Sequence, residues 1–523
     1  MTNYSETRNS HQIKVGSLLS YIQMGCAVLV MLIYTPFLIR ALGKSEYGLY
    51  NTVSSTISLL SILSLGFNAS YIRFYSKYKN DDDHTKENRL NGLFLLLFIG
   101  IGIVALLCGI FITFNLNFIF DSGLTNEEYE IAKILSLLFT IHLSLSFPMS
   151  VFQNIITAHE RFIVLKSLGL FRTIATPLAT IPFLLHGGGS IPIVVVTIVV
   201  ATIIDCVYIV FVLFKLRCRF WVGHIENGVF KNLIFYTSFI AINIVIDQIN
   251  WNVDKVLLGR FIGASSVAVY SVGYTIYQFY QTISSSLSGM FTPRIHNISV
   301  KYENDNEKRF GLYTELFIKV GRIQFLILSL ICSGFIFFGQ LFISLWAGDG
   351  YEQSYYVSLL LMIPASIPLI QNLGIEIQRA ENLHKFRSFV YLGMAIINLV
   401  ASIFLCKLYG PIGCALGTAI SLLVANGLIM NIYYYKKCGL DIPQYWKNIF
   451  KMSLGLLPPV GFGIITSFVW KADSFLLMLL QIVIYSVIFS LSMWFIGMNS
   501  FEKQLISKPI LSLFKKRGQK NDN

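Results

Sequence analysis

The chain is short of charge. Only 13% of its 523 residues are Asp, Glu, Lys or Arg, about half the share of an ordinary soluble domain, whereas 55% are hydrophobic. So much apolar surface has no place in a water-soluble core, which excludes a soluble globule. Cysteine is sparse as well: eight residues without a CxxC pair, with Cys26, Cys108, Cys206 and Cys332 inside apolar runs, which argues against a disulfide framework or a zinc site. No GxxxxGK[ST] loop occurs, so the chain is expected to carry no nucleotide site of its own. The eight histidines are dispersed, and His142, inside an apolar run, reads as a packing residue. No nucleophile, general-base pair or metal-ligand cluster stands out; the expectation is a protein without catalytic residues, metal or cofactor. The N-terminal "MTNYSETRNSHQIKVG" is polar and lacks a small-residue cleavage site, so the first apolar run is expected to stay in the protein.

What the chain has instead is long apolar runs. About 20 residues of helix cross a bilayer's hydrocarbon while satisfying every backbone group internally. Fourteen such spans are expected, at residues 15–39, 47–72, 92–114, 132–157, 163–185, 191–214, 232–258, 264–292, 314–338, 355–378, 388–406, 411–435, 450–470 and 474–497. The fold class is therefore an all-α integral membrane protein. The net charge of +13 is explained by where the cations fall. With the N-terminus in the cytoplasm, thirty of the forty Lys and Arg lie on that side. Six (Arg40, Lys44, Lys133, Arg260, Lys407 and Lys471) lie opposite, and four (Arg172, Lys255, Lys319 and Arg322) fall within spans. Such a bias reports topology rather than a nucleic-acid partner, and an even number of spans puts both termini in the cytoplasm. The basic, apolar-interleaved end "SKPILSLFKKRGQK" suits either an anionic lipid surface or water.

The chain also repeats itself. "FLIRALGKSEYGLYN" (37–51) shares its punctuation with "LLGRFIGASSVAVYS" (257–271): Arg40, Gly43 and Tyr50 recur 220 residues on as Arg260, Gly263 and Tyr270. Ser146 and Pro148 recur as Ser366 and Pro368 at the same offset, and "RFIVLKSLG" (161–169) matches "KFRSFVYLG" (385–393). Collinear anchors of this kind mark an internal repeat, and six spans per copy leave both copies in one orientation. The expected organisation is an N-lobe at 1–222, a C-lobe at 223–437, two further spans within 438–498 and a basic cytoplasmic tail at 499–523. At the outer end of each copy's first helix, Gly would permit a tight turn while Arg and Tyr anchor at the interface.

"IRALGKSEYGLY" after the first span, "DKVLLGRFIGASSVAVYSVGY" around the seventh and "GPIGCALGTAIS" entering the twelfth resemble the polysaccharide (O-antigen, Wzx-type) flippases. These belong to the multidrug/oligosaccharidyl-lipid/polysaccharide (MOP) exporter superfamily, with the MATE exporters and the lipid II flippases. The resemblance implies a MATE-like fold, a place in the bacterial cytoplasmic membrane, and alternating access by two rocking lobes. It further implies membrane lipids and an undecaprenyl-diphosphate-linked oligosaccharide as partners, alongside other polysaccharide assembly proteins. A MATE-like exporter of organic cations is the alternative, with a lipid II flippase behind it. A membrane polymerase or ligase would expose a sizeable outer loop, yet the longest outer segments, near 115–131 and 339–354, are short and apolar.

The residues offer their own candidates. Asn243, Asp247, Asn250 and Asp254 step by 4, 3 and 4 through the seventh span, which sets them on one face of an ideal α-helix. Intramembrane carboxylates mark aqueous paths, so this stripe is the candidate for coupling to a proton or sodium gradient, while Asp254 beside Lys255 also reads as a structural charge pair. For an anionic cargo the candidates are Arg172 in the fifth span and Lys319 and Arg322 in the ninth, because guanidinium and ammonium donors replace the water a diphosphate loses. Lys319 also has Glu315 within reach, and Glu376 and Arg379 read as an i,i+3 pair.

Overall fold

The computed structural model describes residues 2–80, 84–118, 120, 124–221, 223, 229–381, 383–505 and 507–508, and among these the chain is helical almost throughout, with no strand. Among the described residues, ten helices are long and apolar enough to cross a membrane. Two of them hold two expected spans each: Val15–Tyr75 bends at Gly43 (φ +72°) and Lys385–Lys436 bends at Gly410 (φ +57°). Both angles lie in the left-handed region that glycine enters without a steric penalty, so the turn expected at Gly43 is present. The helices Val229–Gln248, Asp254–Phe261 and Ala264–Gly289 occupy the seventh and eighth spans. All-helical architecture follows from the solvent: in hydrocarbon each N–H and C=O needs a partner inside its own segment.

Two compact units are present, one comprising the chain up to Ser271 together with Tyr391–Gly417, the other Val272–Val390 together with the chain from Thr418 on. This partition follows contact density, whereas the repeat follows chain order, and the six-plus-six-plus-two division remains a proposal. The first unit is built on aromatic packing, with Tyr71, Phe94, Phe98 and Phe147 buried together. Small residues bring its helices close. A methyl group on Gly102 would lie 2.7 Å from Ser144 O, and one on Gly413 would lie 1.9 Å from Leu405 O. Such approaches are how helices associate where lipid removes the hydrophobic drive. In the second unit, Met452, Phe489 and Met493 form a smaller cluster that packs the last two spans together.

Interruptions recur in parallel places. Span 2 breaks at Leu65 and Gly66, both at positive φ, and continues as the helix Phe67–Asn80; span 8 ends at Gly289 and continues as Thr292–Lys301. Span 10 breaks at Gln371 and Asn372, just after Pro364 and Pro368, which supply no N–H to the helix ladder. Span 4 carries Pro148 yet runs unbroken over Asn126–Ala158.

Candidate functional site

The first copy of the repeated motif is a clamp. The Glu46 carboxylate accepts from Ser190 N and Ser190 Oγ, both at 2.6 Å, at the start of the helix Ser190–Val210, where a negative charge meets the positive end of the helix dipole. Ser45 donates to Glu128, itself in a reciprocal cap with Thr125 at the start of Asn126–Ala158. Three helices are thus tied at one level. The two copies also touch within the first unit: a methyl on Gly48 would lie 1.8 Å from Ala264 O, and one on Gly259 would lie 2.5 Å from Thr52 Cγ2. The tyrosine role differs from expectation. Tyr270 is 1% exposed and donates to Asp254 Oδ2 at 2.9 Å, so it is an internal partner rather than an interfacial anchor.

The polar stripe of span 7 does not stay on one face. Asn243 and Asp247 are exposed, Asn250 is half-buried, and Asp254 is 2% exposed beside Lys255 at 9%. The cause is a π-helical turn at Ile249–Val253: its wider winding advances less per residue, so Asp254 falls out of line with Asp247. Asp247 and Asp254 therefore occupy different environments, one open and one closed over by Tyr270.

The three candidate cations separate just as sharply. Lys319 pairs with Glu315 one turn earlier and lies over the Phe501 ring, 5.0 Å from its centroid. Arg322 is 4% exposed and commits four of its five N–H groups: Nε to Glu502 Oε1 (2.5 Å), one terminal nitrogen to Asn448 O (3.0 Å), the other to Gly497 O (2.9 Å) and Glu502 Oε2 (2.8 Å). Asn499 completes the knot by exchanging hydrogen bonds with Glu502 at 2.9 and 3.0 Å. An arginine expected to meet cargo instead fastens the end of the last span to span 9. The Glu376–Arg379 pair forms as expected, at 2.7 Å.

Arg172 is the exposed member of the three. It stands ten residues into Phe162–Leu185, about 15 Å along the helix. Asp205, Tyr208 and His142 lie within its electrostatic reach. Spans 4, 5 and 6 thus converge on one polar cluster at depth in the first unit. Beside it, the outer face of span 6 carries an apolar groove of about 550 Å³ lined by Ile198, Thr202, Cys206 and Val210 among others. Asp205 does not figure among the sequence candidates, although the reasoning that singles out Asp247, a carboxylate inside an apolar run, applies to it equally. Among the described residues no group of three or more His, Cys, Asp or Glu is placed to hold a metal.

A family described as polysaccharide biosynthesis protein matches residues 15–299, more than half of the chain. A Shigella flexneri protein assigned as an O-antigen transporter is 21% identical over 410 residues, covering 77% of this chain and 93% of that one. Among solved structures, the lipid II flippase MurJ in an inward closed conformation superposes with a TM-score of 0.70 at 15% identity, covering 95% of this chain and 99% of that one. An inward-facing multidrug resistance MATE transporter of the MOP superfamily gives 0.54 at 12% identity, covering 80% and 95%. At these identities the structures establish the fold, and the family profile establishes membership: the chain is a multi-pass membrane protein of the polysaccharide biosynthesis protein family, built on the fold of the MOP transporter superfamily.

Proposed function

We propose that this transporter is a flippase that carries an undecaprenyl-diphosphate-linked oligosaccharide from the inner to the outer leaflet of the bacterial cytoplasmic membrane, by alternating access, for surface polysaccharide assembly. The observation that carries the reading is Arg172: an exposed guanidinium at depth, backed by a polar cluster rather than buried in an ion pair as Arg322 is. A diphosphate that leaves water needs charge-assisted donors, and a planar fork supplies two at once. The apolar groove along span 6 offers a surface suited to hydrocarbon, and the family membership fits a lipid-linked sugar. Energy comes from a proton or sodium gradient acting through Asp247, with Asn243 and Asn250 as its polar neighbours, whereas Asp254 is held by Tyr270. Both termini face the cytoplasm.

Asp205 and Asp247 keep a second reading in view, a MATE-like exporter of organic cations, because a carboxylate attracts a cation as Arg172 attracts an anion. Reversing Arg172 separates the two. In a host whose surface glycan depends on this chain, Arg172→Glu abolishes the glycan and Arg172→Lys retains part of it, at equal protein levels. Full surface glycan with Arg172→Glu rejects the flippase reading at this residue.

A further inference from the structure

The helix Ile442–Ser453 leads into span 13, and its inner face is fully committed. Ile442, Tyr445, Ile449 and Met452 are buried at helical spacing. The Tyr445 hydroxyl donates to Ile370 O at 2.9 Å, where span 10 breaks, and Asn448 O accepts from Arg322 of span 9 at 3.0 Å. Trp446 Nε1 donates to Asn431 Oδ1 of span 12 at 2.9 Å. The Asp441 carboxylate caps the helix by accepting from Gln444 N, also at 2.9 Å. The helix is thus seated from one side, which fixes the direction of the other.

That outer face is open, and its side chains change character along the chain. Lys447 and Lys451, one helical turn apart, are exposed. So are Phe450, Leu454 and Leu457, which follow at the same helical spacing and run on into span 13. Lys436 and Lys437, in the stretch before the helix, are exposed as well. From residue 436 to 451 the chain holds four lysines against one carboxylate, Asp441, and that one is spent on the helix cap. The turn at 301–309 is different, because its Lys301, Lys308 and Arg309 alternate with Glu303, Asp305 and Glu307.

We propose that this face binds an anionic phospholipid of the leaflet it borders, with Lys447 and Lys451 on the phosphate and an acyl chain along Phe450, Leu454 and Leu457. The order of the groups matches the ligand: a charged head at the edge of the membrane, hydrocarbon further in. Two ammonium groups a turn apart can reach one phosphate, and each lysine near an anionic lipid surface is worth about fivefold in binding. Tyr435, exposed, and Trp446, half-buried, supply the aromatic rings that favour the headgroup level. Because the inner face of the same helix holds span 9 and the break of span 10, a lipid seated here braces that joint. By the topology proposed above the leaflet is the cytoplasmic one, but the site depends neither on that orientation nor on Arg172.

The test uses the full chain, purified in detergent and stripped of lipid, with dioleoyl phosphatidylglycerol as the probe and native mass spectrometry as the readout. The wild-type chain binds it more tightly than dioleoyl phosphatidylcholine, which carries the same acyl chains without net charge. Lys447→Gln raises the Kd about fivefold, and Lys447→Gln with Lys451→Gln raises it about thirtyfold. Lys447→Arg with Lys451→Arg keeps both charges and binds as the wild type does. The matched pair Lys301→Gln with Lys308→Gln, in the mixed-sign turn, leaves the Kd unchanged. Phosphatidylglycerol also raises the melting temperature of the wild type and not that of Lys447→Gln with Lys451→Gln, which without lipid melts as the wild type does. Equal binding of the two lipids overturns the site. Equal losses from the two glutamine pairs overturn it too, since they report a diffuse attraction to basic loops. A dimer that forms in place of the lipid complex, and is lost in Lys447→Gln with Lys451→Gln, overturns the lipid in favour of a second copy of the chain.

Discussion

Arg172 and Arg322 sit in comparable sequence settings, each a lone guanidinium within an apolar run, and the two units treat them in opposite ways. In the second unit Arg322 is closed in by the Glu502 carboxylate and two backbone carbonyls from beyond its own helix. In the first unit Arg172 is exposed, with Asp205 and His142 near it. One charge holds the chain together; the other is available to a ligand. An intramembrane cation is thus not a site by virtue of its charge. Its function depends on how many of its donors the chain itself consumes.

The largest expected effect breaks the Arg322 half of the comparison. Glu502→Ala leaves a buried guanidinium uncompensated and costs about 3–5 kcal/mol, which shows as a lowered melting temperature and loss of a monodisperse peak in detergent. The paired replacement Arg322→Met with Glu502→Leu removes both charges and restores most of that stability. A stable Glu502→Ala protein would mean that the knot is dispensable. Next comes the contact between the two motif copies. Gly48→Ala places a methyl 1.8 Å from Ala264 O and costs about 1–3 kcal/mol by overpacking, measured by thermal unfolding, whereas Gly25→Ala, with nothing within 4 Å, stays close to wild type.

Arg172→Gln sharpens the other half. Its stability changes by less than about 0.5 kcal/mol, as for an exposed side chain, while binding and transport are lost. A drop in melting temperature as large as that of Glu502→Ala would erase the contrast between the two arginines. The smallest effect belongs to Lys319→Ala. Its pair with Glu315 is an i,i+4 pair with both partners partly exposed, so about 0.3–0.5 kcal/mol is lost and surface glycan persists.

Much of the fold was legible because membrane helices announce themselves locally. Twelve of the fourteen expected spans fall on the ten apolar helices among the described residues, since length and apolarity suffice to specify a segment that satisfies its own backbone, whereas the seventh and eighth are helical without meeting that measure. The turns at Gly43 and Gly263 were legible for a similar reason: both take positive φ, +72° and +111°, which glycine alone adopts freely. The site was only partly legible. Arg172 and Asp247 stand out as charges in apolar runs, and so does Asp205, which the emphasis on cations left aside. The splitting of the Asp247 stripe was hidden, because spacing by 4, 3 and 4 assumes an unbroken α-helix and the π-helical turn at Ile249–Val253 has no such mark.

Sequence by itself determined the class of the molecule, its helices, the charge asymmetry of its loops and the existence of a repeat, all of which depend on properties summed along one segment. Tertiary structure alone decided which charges are structural. Arg322 meets Glu502 across 180 residues of chain, and Gln371 meets Asn431 across spans 10 and 12. Whether a guanidinium is closed off or open depends on partners that only packing brings within hydrogen-bond distance, and a hydrogen bond is lost within a fraction of an ångström of misplacement.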